Sequence, residues 1–320
     1  MAAETNRKEL IDHDTGEVLS ALEQRDYRGQ IVSTIHLPEL QEEIQGRFKK
    51  GLFDEEFYRT RLSFFDFKIP DALPNAKSII VAAVPRPQAQ ATFTSKEKKR
   101  SLILPPTYAA YNGTTNRVTE VLNGTLKKKG YSTAQTLLPL KLLAVRSGLA
   151  EYGRNNITYV KGFGSFHQLV AVYSDLPCRS DSWQEPRMMK QCENCQACLR
   201  SCPTGAISSD RFLLHAERCI VFHNEKKGSI PFPEWIKPSW HNCLYGCMHC
   251  QRACPEDKPF MNWIGEKEEF TQEETELLLK ENLPDHLTEA TLKKLKNLDL
   301  ADPDSLDNLP RNLHIFFDTN

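Results

Sequence analysis

Nine of the ten cysteines fall between residues 192 and 254, seven of them in two runs of fixed spacing. Cys192, Cys195, Cys198 and Cys202 precede Pro203; Cys247, Cys250 and Cys254 precede Pro255; Cys219 stands between the runs. C-x2-C-x2-C-x3-C-P, a lone cysteine, then C-x2-C-x3-C-P is the spacing of two 4Fe-4S clusters, in which the last cysteine of a run serves the other cluster. Thiolates two residues apart on a tight turn converge on one face of an iron–sulfur cube. A cysteine three residues further on, just before proline, is carried to the neighbouring cube. Crossing over assigns Cys192, Cys195, Cys198 and Cys254 to one cluster and Cys202, Cys219, Cys247 and Cys250 to the second. The chemistry this supports is electron transfer.

Two other uses of so many thiols fit less well. A disulfide framework belongs to short secreted chains, whereas this one opens MAAETNRKEL, with no apolar leader. Structural zinc favours paired C-x2-C hooks, not a three-hook run ending in C-P. Cys178, in SDLPCRSD, reads as a small buried hydrophobe and carries no assignment. Cys243 precedes Cys247 by four residues and competes with it as a ligand; Cys247 is preferred because its spacing to Cys250 repeats the first run.

The elements that position these cysteines need a chain with a core of its own. With 320 residues, 40% of them hydrophobic, there is room for two domains. Forty-one Lys and Arg against 42 Asp and Glu leave a net charge of −1, so no global field points to nucleic acid or a membrane surface. No stretch approaches the roughly 20 apolar residues of a membrane span, and reduced thiolates suit a reducing compartment, so a cytoplasmic location is expected. The basic run at 96–100 reads as a solvated loop.

Leu40, Ile44, Phe48 and Leu52 recur at helical spacing, and SIIVAAVP at 78–85 is a buried strand stopped by proline. Val118, Val121, Leu122 and Leu126 predict a helix closing on KKKG, and LKLLAVRSGL at 140–149 a second one capped by Gly148. HQLVAVYSDL at 167–176 predicts another strand. The expected domains are an α/β domain over 1–180, a cluster domain over 181–262 held largely by metal coordination, and a helical C-terminal tail over 263–320. In that tail TQEETELLLKE and PDHLTEATLKKLKNLDL are the helices, packing as a cover on the domain before them.

The cysteine runs taken with RSGLAEYGRNN at 146–156, GFGSFHQLVAVYSDLP at 162–177 and LLHAERCIVF at 213–222 resemble the epoxyqueuosine reductases and, more distantly, the reductive dehalogenases. In that family a glycine-rich turn borders cobalamin, and Gly148, Leu149, Gly153, Arg154 and Asn155 occupy the matching positions, with Tyr152 between them. Glycines let backbone approach a bulky ligand, and Arg and Asn donate to phosphate or amide groups. The resemblance implies an α+β fold, a nitroreductase-like cobalamin-binding domain followed by a bacterial-ferredoxin-like two-cluster domain. It also implies cob(I)alamin, fed by the two 4Fe-4S clusters, as reductant of a substrate not identified from the sequence.

One departure stands out. The family's R-Y-A-x-G-x-D-Y-H stretch reads TYAAYNGTTNRV here, so the aspartate acid has no counterpart, and the duty of proton donor falls to Tyr111, Tyr108 or Tyr152. His167, His215, His223, His241 and His249 are scattered and read as structural or surface residues. The expected activity is a cobalamin-dependent iron–sulfur reductase acting on a small molecule or modified nucleoside, with ferredoxin or flavodoxin as donor. tRNA ranks lower because no basic face is evident. The alternative is a non-catalytic iron–sulfur electron carrier or a corrinoid-reducing activator of a partner protein, which the missing aspartate motivates.

Overall fold

The computed structural model describes residues 2–108, 111–280 and 287–317, without the side chains of 2–12 and 111–112. In chain order the first elements are α1 (Ala2–Glu23), β1 (Arg28–Ser33), α2 (Leu37–Lys49), α3 (Glu55–Arg61), β2 (Ser78–Pro85), β3 (Gln88–Ser95) and β4 (Lys98–Leu104). Then come α4 (Tyr111–Leu126), β5 (Thr133–Gln135), α5 (Leu140–Arg146), β6 (Glu151–Tyr152), β7 (Thr158–Tyr159) and β8 (His167–Ser174). The remainder is α6 (Ala197–Ser201), α7 (Ile220–Asn224), α8 (His249–Arg252), β9 (Ile264–Phe270), α9 (Gln272–Leu278), α10 (Glu289–Asn297) and α11 (Pro303–Phe317). Two units share these elements. The first holds residues 1–85 and 112–195, the second 86–111 and 196–320.

The first unit is built on a four-stranded antiparallel sheet of order β1-β2-β8-β5. Both faces are covered, so β2 has no polar face to spare and reads as an uninterrupted apolar run. Ile79, Val81 and Ala83 point to a core shared with Leu40 and Ile44 of α2 and Leu143 of α5. Ile80, Ala82 and Val84 point the other way, against Val18 and Leu22 of α1 and Val118, Leu122 and Leu126 of α4. Strand β8 repeats the alternation, Leu169, Ala171 and Tyr173 on one side, Val170 and Val172 on the other. Cys178 packs on the edge of the second core, its thiol toward the Ile31 carbonyl at 3.9 Å and pushed up to about 12 by burial.

The second unit, where metal coordination was expected to supply much of the stability, has a hydrophobic core of its own. Strands β3 and β4 form a hairpin whose turn, at Lys96 and Glu97, takes both residues to positive φ (47° and 64°). The basic run at 96–100 is therefore the tip and first rungs of a hairpin. Strand β9 pairs with β3 in parallel. The segment from 263 onward, expected to be helical, thus opens with a strand. IGEKEEF has little hydrophobic content to announce it, but Phe270 stacks on Phe93 with centroids 4.7 Å apart. Leu278 of α9, Leu295 of α10, and Leu309 and Leu313 of α11 cover this sheet, and Leu244 and Tyr245 of the cluster-bearing segment join the same core. Helix α9 is closed by a capping box between Thr271 and Glu274, as its sequence predicts. Residues 284–286 of the second tail helix lie outside the described residues; the helix proper starts behind Thr288, its N-cap. Among the described residues no helix is long and apolar enough to cross a membrane.

Candidate functional site

In the second unit the cysteine runs are written onto two short helices. Cys198 lies on α6 with Cys202 as its C-cap; Cys250 lies on α8, three residues before Ala253 closes that helix and five before Pro255, which cannot continue it. The two helices lie against each other, the Ser201 hydroxyl donating to the His249 carbonyl at 3.1 Å. Cys219 is the N-cap of α7.

This arrangement brings Cys202, Cys219, Cys247 and Cys250 together. Burial pushes the Cys219 thiol up to about 12 and the Cys247 thiol up to about 11; Cys247 and Cys202 add to the first shift, and Cys202 to the second. Cys250 is raised further, by burial first and then by Cys247, Cys219, Cys198 and Cys202. Buried thiols crowded in this way are a poor arrangement for a plain protein core. Yet two of them receive hydrogen bonds that favour the charged sulfur, and a third has a hydroxyl beside it. The Val221 N–H donates to Cys219, the His249 N–H donates to Cys247, and the Thr204 hydroxyl lies 3.5 Å from the Cys202 sulfur. Burial against the thiolate combined with donors aimed at it is what a cationic iron–sulfur core reconciles, so this donor set fits such a cluster. Among the described residues no three His, Cys, Asp or Glu side chains close on a single metal ion. A cube makes a different demand, one thiolate on each of four irons. Cys243, the competing ligand, is fully buried, receives the Met248 N–H and lies in the field of Cys247, with its thiol raised by burial.

In the first unit the candidate cofactor turn follows α5. Gly148 takes φ +75°, the left-handed conformation that ends the helix. Gly153 has no room for a side chain, since a Cβ there would lie 2.5 Å from both the Asn155 amide oxygen and the Tyr159 ring. Leu149 packs against the core and Tyr152 belongs to it. Burial holds the Tyr152 phenol well above its usual range. Asn155 donates to the Tyr159 hydroxyl at 2.9 Å and accepts from the Ile157 N–H at 3.3 Å. Arg154 reaches the first cysteine hook, donating from Nη2 to the Cys192 and Glu193 carbonyls (2.6 and 3.4 Å) and from Nε to the Cys195 carbonyl (3.0 Å). Asn155 is buried and Arg154 half-buried, and the bonds both make here are internal ones.

Of the three candidate acids, Tyr152 is in the core, and for Tyr111 only the backbone, at the start of α4, is described. Tyr108, which follows β4, donates its hydroxyl to the carboxylate of Glu225. Sequence reading missed Glu225; its one signal is its place six residues after Cys219, at the end of α7. The histidines all have structural partners. His167 is buried between the Thr158 hydroxyl and the Gly164 carbonyl and falls to about 4. His215 pairs with Glu217, His223 and His249 meet backbone carbonyls, and His241 packs edge-on to Phe232.

Residues 191–257 match the family described as 4Fe-4S double cluster binding domain. Epoxyqueuosine reductase of Atelocyanobacterium thalassa is 37% identical over 120 residues, 38% of this chain and 38% of that protein. The Escherichia coli epoxyqueuosine reductase is 27% identical over 238 residues, 70% of this chain and 60% of its own length. The match spans only 26% to 38% of the length of the first four curated relatives. A crystal structure of epoxyqueuosine reductase with a tRNA-Tyr epoxyqueuosine-modified stem loop superposes with a TM-score of 0.65 at 20% identity, over 97% of this chain and 80% of that one. The chain therefore shares its fold with epoxyqueuosine reductases along nearly its whole length, and carries the sequence of a double-cluster domain.

Proposed function

We propose that the chain is a cobalamin-dependent iron–sulfur reductase whose substrate is a modified nucleoside in tRNA, epoxyqueuosine before others. The observation that carries this reading is the convergence of Cys202, Cys219, Cys247 and Cys250, with backbone N–H donors aimed at two of the sulfurs. The relatives' name and the stem loop bound to one of them raise tRNA above the free small molecule that net charge alone favours. Cys192, Cys195, Cys198 and Cys254 would hold the other cluster by the crossing-over of the sequence pattern. Cobalamin would supply a strongly reducing cobalt centre, held against the backbone of the turn around Gly148 and Gly153.

The rest of the work falls to this chain's residues. The cysteines would hold clusters that supply one-electron transfer, with ferredoxin or flavodoxin as the donor in a cytoplasmic setting. Arg154 fixes the carbonyls of the first hook. Tyr108 takes the acid's part, because it keeps a hydroxyl next to a carboxylate where the family's aspartate is missing. The experiment is anaerobic preparation with added cobalamin, followed by dithionite-driven turnover of an epoxyqueuosine-containing anticodon stem-loop. A bound corrinoid spectrum and loss of epoxyqueuosine are expected; intact clusters without either result would refute the reading. The missing aspartate favours one alternative, an electron carrier or corrinoid-reducing activator, which would exchange electrons with a partner and turn over no stem-loop.

A further inference from the structure

The loop that delivers Cys247 is closed by a side chain. Asn242 Oδ1 accepts the Met248 N–H at 3.1 Å, and the ring so formed contains Cys243, Gly246 at φ +69° and Cys247. Groups on the outside of this loop are met by other elements of the same unit. The Leu244 N–H donates to the Ile103 carbonyl at 3.0 Å, the Leu244 carbonyl accepts from Asn312 Nδ2 at 3.3 Å, and the Gly246 carbonyl accepts from Asn224 Nδ2 at 2.8 Å. The inner side carries sulfur. The Met248 N–H that meets Asn242 also points at the fully buried Cys243 thiol, and the next N–H, of His249, points at the Cys247 sulfur. Consecutive N–H groups turned to one side make a concavity suited to a negatively charged group, and the Asn242 amide lies on that side.

The other half of this amide is unmatched. Asn242 Nδ2 is buried and, among the described residues, has no hydrogen-bond partner. Reversing the amide is no cure, because its NH2 would then face the Met248 N–H, donor against donor. A buried donor without an acceptor is costly, and a native fold that keeps one calls for a group outside the chain to take the hydrogen. What the surroundings supply is sulfur. Asn242 stands five residues before Cys247 and eight before Cys250, and its Oδ1 holds the residue that follows Cys247. Arg252 acts on Cys243 and Cys247 alike, favouring negative charge on both.

We propose that the Asn242 side-chain amide is a cofactor-binding group, its Nδ2–H donating to a sulfur of the cluster held by Cys202, Cys219, Cys247 and Cys250. The inference rests on the reading of those four cysteines as ligands of one cluster, and adds to them a side chain that cysteine spacing does not mark. On reduction one electron passes from a low-potential one-electron donor to the cluster; no bond at iron or sulfur breaks and no proton moves. The N–H···S bond strengthens as the sulfur becomes more negative. It therefore favours the reduced state and raises the potential of that cluster.

The test uses anaerobically prepared holoprotein labelled with nitrogen-15 in its asparagine side-chain amides alone and reduced with dithionite. Pulsed electron paramagnetic resonance should show a nitrogen-15 coupling to a reduced cluster in the wild type, and Asn242→Ala should lose it. A redox titration gives the second readout: one of the two midpoint potentials falls in Asn242→Ala by about 59 mV, a tenfold less favourable one-electron reduction, and the other stays level. Asn242→Asp keeps an acceptor for the Met248 N–H and so keeps the loop closed, but its carboxylate has no hydrogen to give; it lowers the same midpoint at least as far. A wild type without the coupling, as a buried water on Nδ2 would leave it, overturns the proposal. So does a coupling that persists in Asn242→Ala, or an unmoved midpoint in Asn242→Asp. Should both variants lose a cluster, the wild-type spectrum decides. Iron analysis separates the underlying reading: about four irons per chain, or zinc, in place of about eight defeats the ligand assignment itself.

Discussion

Replacing Arg154 with alanine should free the first cysteine hook while leaving the second cluster in place. Its guanidinium makes two good charge-assisted hydrogen bonds, to the carbonyls of Cys192 and Cys195 at 2.6 and 3.0 Å, and a longer one to Glu193. Bonds of this kind contribute about 1.5–3 kcal/mol each when buried. Glu193 is exposed and Arg154 half-buried, so water replaces part of what is lost. A net cost of about 2 kcal/mol is reasonable, which corresponds to roughly thirtyfold more frequent opening of the hook. Iron release to a chelator under anaerobic conditions should then split into a fast phase, accelerated by about that factor and accounting for half of the iron, and an unchanged slow phase. Arg154→Lys should recover part of the effect, since an ammonium can meet one carbonyl but not the fan of three. Wild-type release kinetics in Arg154→Ala, with loss of corrinoid binding alone, would refute the role assigned here and restore the ligand-donor role.

Thr204→Val removes the hydroxyl beside the Cys202 sulfur. Since hydrogen bonds to sulfur raise a cluster's potential, the midpoint of one cluster should fall while the other holds, as read by redox titration. Gly246→Ala places a methyl against Tyr108 and Pro105 at a left-handed φ; a cost of about 1–3 kcal/mol and a lower thermal midpoint are expected. His167 gives a pH dependence. Its ring is neutral in the fold down to about 4 against an ordinary 6.5. The unfolded chain therefore binds the proton first, and stability present above 6.5 is lost as pH falls toward 4, by at most about 3 kcal/mol. Denaturant unfolding should show this slope in the wild type and a flatter one in His167→Gln.

What was legible in the sequence was what local spacing encodes. The apolar runs of β2 and β8, the helix closing on Lys127–Lys129 and Gly130, the Gly148 helix end and the Thr271 capping box all lie where their patterns put them. Each depends on residues within a turn or two of one another. The cysteine grammar is local too, so the grouping of the thiols is read from spacing within each run. The hairpin at 88–104 was not legible. Its inward residues Ala89, Ala91 and Phe93 alternate with Gln and Thr, and the leucines that bury them come from helices almost two hundred residues later. Strand β9 was hidden for the same reason, since its partner is remote and its own pattern is charged.

The same division runs through the candidate site. An arginine and an asparagine after a glycine look like ligand donors because sequence shows what a side chain can donate and not what it already meets. Arg154 finds its acceptors 38 to 41 residues on, and Asn155 finds Tyr159 on the next strand. Tyr108 could be singled out for its chemistry, yet the carboxylate it meets lies 117 residues away in sequence. The cysteine spacing specifies the electron path in a sentence of sixty residues. The surroundings of Tyr108 are assembled by the fold, through a hairpin end laid against the loop of Cys247, and they become visible only when Gly246, Tyr108 and Glu225 are seen together.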